Sequence, residues 1–395
     1  MRIGINCLNL DPSFVGGLNT FTRGLLEGFA KTANGHHFRL YATSGNQHLF
    51  ESLENQKGFE VMVFDDLAHI LRKSLCRGAL LSCSERMYES VSNRVFREMR
   101  ELMDQDADII YTPSVVLQSF DSRKPSVLSM HDIQHVHYPE FFSWPKRLSR
   151  RITYSLSAQR ALFFQASSEF IKQDLLQHFD CISEEQVTVI HEGVSVEDFS
   201  TPVDAISLCS RYSIPERFLF FPAQFWPHKN HITALQALKQ IEAKHGLQIP
   251  MVLTGGKYSA ASRVFDYIAD QSMNYVHYLG RVPFADLVGL YQGAAFLVMP
   301  SLHESNSLPI LEAAAAGTPI IASLIPPNEE LASVLQLNLF EPLNVAELMD
   351  MILRLWKDEK TASAQAEHNR MHVSAYEWKC AALKYLSLFE RALSG

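Results

Sequence analysis

Short apolar runs alternate with helical periodicity from one end of this chain to the other, and that alternation constrains the fold more than any other feature. RIGIN, FRLYAT, VMVF, DIIYT, SVLSM, FFQAS and VTVIHEG fall in the first half; FLFFPAQ, MVLTG, YVHYLG, FLVMPS, PIIAS and NLFEP fall in the second. Runs this short and continuous read as strands buried on both faces, and their alternation with helices implies parallel sheets covered on both sides. In 231–245, Ile232, Leu235, Leu238 and Ile241 recur at three-residue spacing on one face, and Gly246 is a stop signal. Two sets of strands imply an α/β chain of two Rossmann-like, doubly wound domains, which suits its 395 residues. Strand signals lapse over 196–216, where two prolines appear. The expected domains are 1–198 and 199–375, with a last helix in 376–395 crossing back to the first.

Net charge is −8 and acidic residues outnumber basic ones in each half, which argues against a nucleic-acid binder. Cys7, Cys76, Cys83, Cys181, Cys209 and Cys380 are scattered with no CxxC pair. They read as reduced, mostly buried thiols of a cytoplasmic protein, not a disulfide frame or zinc site. MRIGINCLNL is interrupted by Asn6 and Asn9 and does not read as a signal peptide, and no apolar run is long enough to span a bilayer.

Ligands of open parallel sheets bind at strand carboxyl ends, where loops lead into helices. Four stretches have that context. FLVMPS leads through LHESNS to a helix opening at Pro309, so N–H groups around Asn306, Ser307 and Leu308 form an anion seat. Glu304 precedes that helix and Glu312 lies a turn inside it; they flank the seat and can accept hydrogen bonds from hydroxyls. FLFFPAQFWPHKNH carries Lys229 at its turn, suited to a diphosphate. RIGIN leads to Gly16-Gly17, where backbone can approach a ligand, and His131-Asp132 follow SVLSM. Singly, each has a plain reading too: surface carboxylates, a solvated lysine, a turn, a structural histidine.

Taken together, these segments resemble the retaining glycosyltransferases of family 4. The family signature EGFGLPVLEA…GTPV is matched by Glu304-Ser-Asn-Ser-Leu-Pro-Ile-Leu-Glu312-Ala and then Gly317-Thr-Pro. VIHEGVSVEDF is similar to VIPNGVD-x-x-F, WPHKN to the lysine loop, and LYQGAAFLVMPS precedes the signature. The resemblance implies the GT-B architecture, two Rossmann-like domains facing across a cleft. It implies a retaining, metal-independent transfer of a hexosyl unit such as mannosyl or glucosyl from a nucleotide-diphosphate sugar to a glycan or lipid-linked acceptor of surface-polysaccharide or glycolipid synthesis. No cofactor is implied. By position, Lys229 would meet the diphosphate, Glu312 the ribose, Glu304 the transferred sugar, Arg281 and Val282 (with Gly280) the base, Gly16 and Gly17 the phosphates, and His131 the sugar at the catalytic centre. Asn306, Ser307 and Leu308 would offer backbone N–H groups.

The chain departs from the pattern in two places. Gln224 stands where the family often has arginine, so one cation is missing unless Arg281 or His228 supplies it. Ser305 and Ser307 replace signature glycines, so side chains would narrow the sugar pocket or demand another backbone. These departures keep open a degenerate nucleotide- or glycan-binding subunit; a GT-B epimerase or phosphorylase is a further alternative, though no pyridoxal-phosphate lysine is recognisable. No carboxylate nucleophile is apparent beside His131. DQDAD (104–108) has the DxD spacing of metal-dependent transferases but sits between an expected helix over 84–103 and the entrance of strand DIIYT, so a solvated helix end is the expected reading. Residues 141–168 carry Lys146, Arg147, Arg150, Arg151 and Arg160, no acidic residue, and Phe141, Phe142 and Trp144. That composition fits peripheral contact with an anionic membrane as well as it fits a solvated helix face.

Overall fold

Each apolar run becomes a parallel strand. The computed structural model describes residues 1–11, 16–32, 35–65 and 84–394, which divide into two units: Met1–Gly193 with Trp378–Gly395, and Val194–Glu377. In the first unit β1 (Arg2–Asn6), β2 (His37–Thr43), β3 (Phe59–Phe64), β4 (Ile109–Thr112), β5 (Ser126–Met130), β6 (Phe163–Ala166) and β7 (Val187–Val189) lie in the order β3-β2-β1-β4-β5-β6-β7. In the second, β8 (Leu219–Pro222), β9 (Met251–Thr254), β10 (Val276–Tyr278), β11 (Phe296–Met299), β12 (Ile320–Ser323) and β13 (Asn338–Phe340) lie in the order β10-β9-β8-β11-β12-β13. Every pairing is parallel. FLVM, MVLT and IIAS are buried at every position, as strands covered on both faces must be.

Both sheets reverse their strand order once, between β1 and β4 and between β8 and β11. Loops leaving the carboxyl ends of those pairs diverge to opposite faces and open a crevice, which makes each switch point the expected ligand position.

The unit boundaries fall at Gly193 and Trp378 instead of 198 and 376. The reason is packing within the first unit. A β-carbon on Gly193 would lie 2.7 Å from the Trp378 backbone nitrogen, and one on Gly24 only 2.1 Å from the Trp378 indole. Helix Trp378–Ser394 thus docks in close approach to helix Gly17–Thr32. Its Tyr385 hydroxyl reaches Ser129 Oγ at 3.1 Å and Tyr111 Oη at 3.2 Å. The run VTVIHEG is strand only to Val189, because the chain turns toward Trp378 beyond it. The helix expected over 84–103 is two, Glu85–Val95 and Arg97–Asp106, parted at buried Phe96.

Cys7 and Cys209 are buried, Cys380 is partly buried, and Cys181 is exposed; Cys76 and Cys83 lie outside the described residues. Among the described residues, no helix is long and apolar enough to cross a membrane.

Candidate functional site

The second unit's switch point joins the two charges that the sequence placed in separate loops. Lys229 ends the short helix Pro227–Lys229 after β8, and Glu304 lies in the loop after β11. Lys229 Nζ stands 2.6 Å from Glu304 Oε1, with the two side chains 16% and 9% exposed. Asn230 ties the loops together. Its φ of 55° is a left-handed conformation that asparagine tolerates. Its side-chain amide donates to the carbonyls of Pro300 and Pro342, both at 2.9 Å. The Leu302 N–H also donates to the His228 carbonyl at 2.7 Å.

Helix Leu308–Ala316 begins beside this pair, with Pro309 in its first turn. Its alanines, Ala313 to Ala316, are buried, so a small-residue face brings the helix close to the sheet. Gly317 ends it at φ 74°, and Arg370 fills the space its missing side chain leaves. Among the three backbone donors expected here, the Leu308 N–H turns back to the Asn306 carbonyl at 3.2 Å. Ser305 and Ser307 need no different backbone, since neither has positive φ. Nor does Ser307 narrow a pocket: it is 1% exposed and its hydroxyl donates inward to Asn328 Oδ1 at 2.6 Å.

Glu312, partly buried, accepts a 2.6 Å hydrogen bond from the hydroxyl of fully buried Tyr291. Burial raises its pKa to about 7, against the opposing pull of the Tyr291 hydroxyl. Glu312 and Glu304 therefore have different settings, one beneath a tyrosine and the other against a lysine. On the neighbouring exits Trp226 stacks on Tyr258 at 4.1 Å, and Arg281 Nη2 donates to the Tyr258 hydroxyl at 3.0 Å. Val282 is partly buried alongside. His228 differs from the missing arginine in its charge. Burial and the neighbouring Lys229 hold it well below the usual imidazole value, hence neutral. Gln224 sits in the same loop without charge.

In the first unit, Gly16 and Gly17 open helix Gly17–Thr32, and a β-carbon on Gly17 would meet no atom within 4 Å. His131 leaves β5 with Nε2 3.0 Å from the Pro113 carbonyl oxygen. A carboxylate that the sequence did not single out lies beside it. Glu192, 5% exposed in the loop after β7, brings Oε1 to 3.6 Å from His131 Nδ1. Residues 61 positions apart meet because β5 and β7 flank β6 and leave the same edge. The DQDAD carboxylates point to separate partners: Asp104 to Ser122, Asp106 to Arg39 and Asp108 to Arg2. Sequence reasoning missed Tyr291, Asn230, Trp226, Tyr258 and Glu192. Only Glu192 carried a signal, as the residue standing where the family motif has asparagine.

Two doubly wound parallel sheets with polar groups gathered at their strand exits have the plan of the GT-B fold. The model of glycosyl transferases group 1 matches residues 216–358 and that of Glycosyltransferase Family 4 matches 15–198; the chain belongs to this family. It is similar to O-antigen chain mannosyltransferase B of Escherichia coli, at 24% identity over 64% of this chain and 67% of that one. It is also similar to O-antigen chain mannosyltransferase RfbU of Salmonella typhimurium, at 26% identity over 50% of this chain, where it spans only 52% of the relative's length. Among solved structures, Anabaena HepE, crystallised with UDP and glucose, shares the fold at a TM-score of 0.75 and 19% identity, over 99% of this chain and 100% of that one.

Proposed function

We propose that the chain transfers a hexosyl unit, mannosyl foremost, from a nucleotide-diphosphate sugar to a glycan or lipid-linked acceptor of surface-polysaccharide synthesis, with retention and an α-linked product. The observation that carries this reading is the Lys229–Glu304 pair at the switch point, beside the N-terminus of helix Leu308–Ala316. A diphosphate arriving there gains a cation and helix-end N–H groups. Lys229 exchanges its carboxylate partner for the diphosphate, and Glu304 is released to the hydroxyls of the transferred sugar. As the glycosidic bond breaks, the preorganised donors and Lys229 stabilise the charge building on the leaving diphosphate, with no metal required. Glu312 takes the ribose hydroxyls, Arg281 and Val282 the base, and Gly16, Gly17 and His131 keep the roles that the resemblance assigns them. The mannosyl preference rests on the two O-antigen mannosyltransferases to which the chain is similar.

The test is release of nucleoside diphosphate from GDP-mannose, UDP-glucose and related donors, with a glycan acceptor, in the presence and absence of EDTA. Release from GDP-mannose, unchanged by EDTA, is the expected result. No release from any donor refutes the activity; loss in EDTA with recovery in manganese refutes only its metal independence.

Helix Trp144–Arg160 is proposed as the membrane-facing element. Trp144 is 67% exposed, and Trp144, Arg147, Leu148 and Arg151 border a cavity of about 340 Å³. Part of the positive charge is spent internally: Arg160 pairs with Glu89 at 2.6 Å, and Lys146 and Arg150 lie over the Phe142 ring. Co-sedimentation with vesicles should require anionic lipid and weaken as salt rises, because exposed charges are screened. Equal binding to neutral vesicles, or none to either, refutes this contact.

A further inference from the structure

His131 sits between two acceptors. A backbone carbonyl only accepts, so the Pro113 oxygen 3.0 Å from Nε2 requires a proton on that nitrogen. On the ring's other side, Nδ1 faces Glu192 Oε1 at 3.6 Å, within ion-pair range though long for a hydrogen bond. The edge-to-face contact with Phe21, centroids 4.8 Å apart, fixes the ring plane so that neither nitrogen turns away. Glu192 is itself 5% exposed, and a carboxylate that deeply buried needs a positive neighbour.

We propose that Glu192 is a positioning residue that keeps His131 doubly protonated, so that the first unit presents a fixed imidazolium, not a proton acceptor, where β4, β5 and β7 end. The donor-side role of that cation rests on the transferase reading above; its existence does not. With both nitrogens carrying protons, His131 has no lone pair to remove a proton from an acceptor hydroxyl, and its contribution is charge and hydrogen-bond donation. The charged surroundings agree. Glu192 faces the ring from the β7 exit and Asp132 from its own loop, while Arg150 stands 3.9 Å behind Asp132. Tyr111 and Tyr385, held in the protonated form by burial, lie near Glu192. Burial opposes the ring's charge, but Glu192, the Pro113 carbonyl and Asp132 outweigh it, and the His131 pKa is raised. Because the shift is upward, the ring's charge persists to higher pH than an ordinary histidine's and is lost as pH climbs past the raised value.

Two measurements on the full chain test this. NMR titration of the His131 ring, with no substrate present, should give a value above the ordinary one of about 6.5 in the parent and at or below it in Glu192→Gln. Glu192→Asp should keep the raised value. In parallel, kcat/KM for the donor followed from about pH 5 to about pH 9 should have a basic limb that moves down by roughly one pH unit or more in Glu192→Gln, with activity at the acid end preserved. A purely structural defect lowers activity at every pH, and a nucleophilic Glu192 abolishes it at every pH; either outcome overturns the proposal. Equal ring titration in parent and Glu192→Gln overturns it as well. Raised titration with no turnover of any donor retains the ion pair and refutes the transferase reading alone.

Discussion

Glu304→Gln should bind free nucleoside diphosphate as tightly as the parent or more tightly, while kcat falls by about tenfold to a hundredfold. In the unliganded chain, Glu304 occupies Lys229 at 2.6 Å, so it competes with the diphosphate for the same cation. The amide removes that competitor. The loss appears in turnover, because charge develops at the transferred sugar only in the transition state, and a charge-assisted contact there is worth about 1.5–3 kcal/mol. The unliganded variant should also be less stable by roughly 2 kcal/mol, since a mostly buried lysine is left without its carboxylate. Nucleoside diphosphate should restore that stability. Calorimetry, steady-state kinetics and thermal unfolding with and without ligand check the three parts. Equal weakening of free nucleotide by Glu304→Gln and Glu312→Gln would remove the division of roles between the carboxylates.

Glu312→Gln should stabilise the fold at alkaline pH and weaken binding of both the free nucleotide and the sugar nucleotide by roughly tenfold. Burial raises Glu312 from its ordinary 4.5 to about 7. Below the unfolded value the group is neutral in both states and costs nothing. As pH rises, the unfolded chain ionises first, and by the time the folded pKa is passed, stability on the order of 3 kcal/mol has been lost. Glutamine does not ionise, so the gain over the parent should be present near pH 8 and absent near pH 4, read by denaturant unfolding. Donor binding runs the other way. The parent should bind sugar nucleotide better as pH rises through about 7, because the ionised carboxylate is the stronger acceptor for ribose hydroxyls; the variant should be flat. A sugar nucleotide is the proper probe, since its diphosphate does not titrate in that range. A parallel pH trend in parent and variant would refute the ribose assignment.

The strands and the two-sheet plan were legible because buried parallel strands are continuous apolar runs, and thirteen of them alternating with helices leave little else for a chain of this length to form. The site loops were legible because strand exits and helix starts can be located from the same pattern. What stayed hidden was pairing across loops. Lys229 and Glu304 are 75 residues apart, and Tyr291 and Glu312 are 21 apart. No periodicity records that they meet, because tertiary packing alone decides which polar groups share a buried space. For the same reason Ser307 was misjudged: its hydroxyl answers to Asn328, on a different helix. The broken helix at Phe96 and the shortened β7 are losses of another kind, boundaries set by one buried side chain and by Trp378.

The position of helix Trp378–Ser394 bears on how the protein comes into being. The seven described strands of the first unit have been synthesised by Val189, yet the helix that covers Phe29, Tyr111 and Ser129 follows only after the whole second unit. At about 5–20 residues per second, the ribosome needs roughly 10–40 s to travel from the end of β7 to Trp378. During that interval the nascent first unit has an uncovered aromatic face, while the whole of Val194–Glu377 emerges and has every strand it needs. The segment encoded second is thus the first that can be finished, and a chain terminated before Trp378 would carry a complete second unit joined to a first unit still missing its cover.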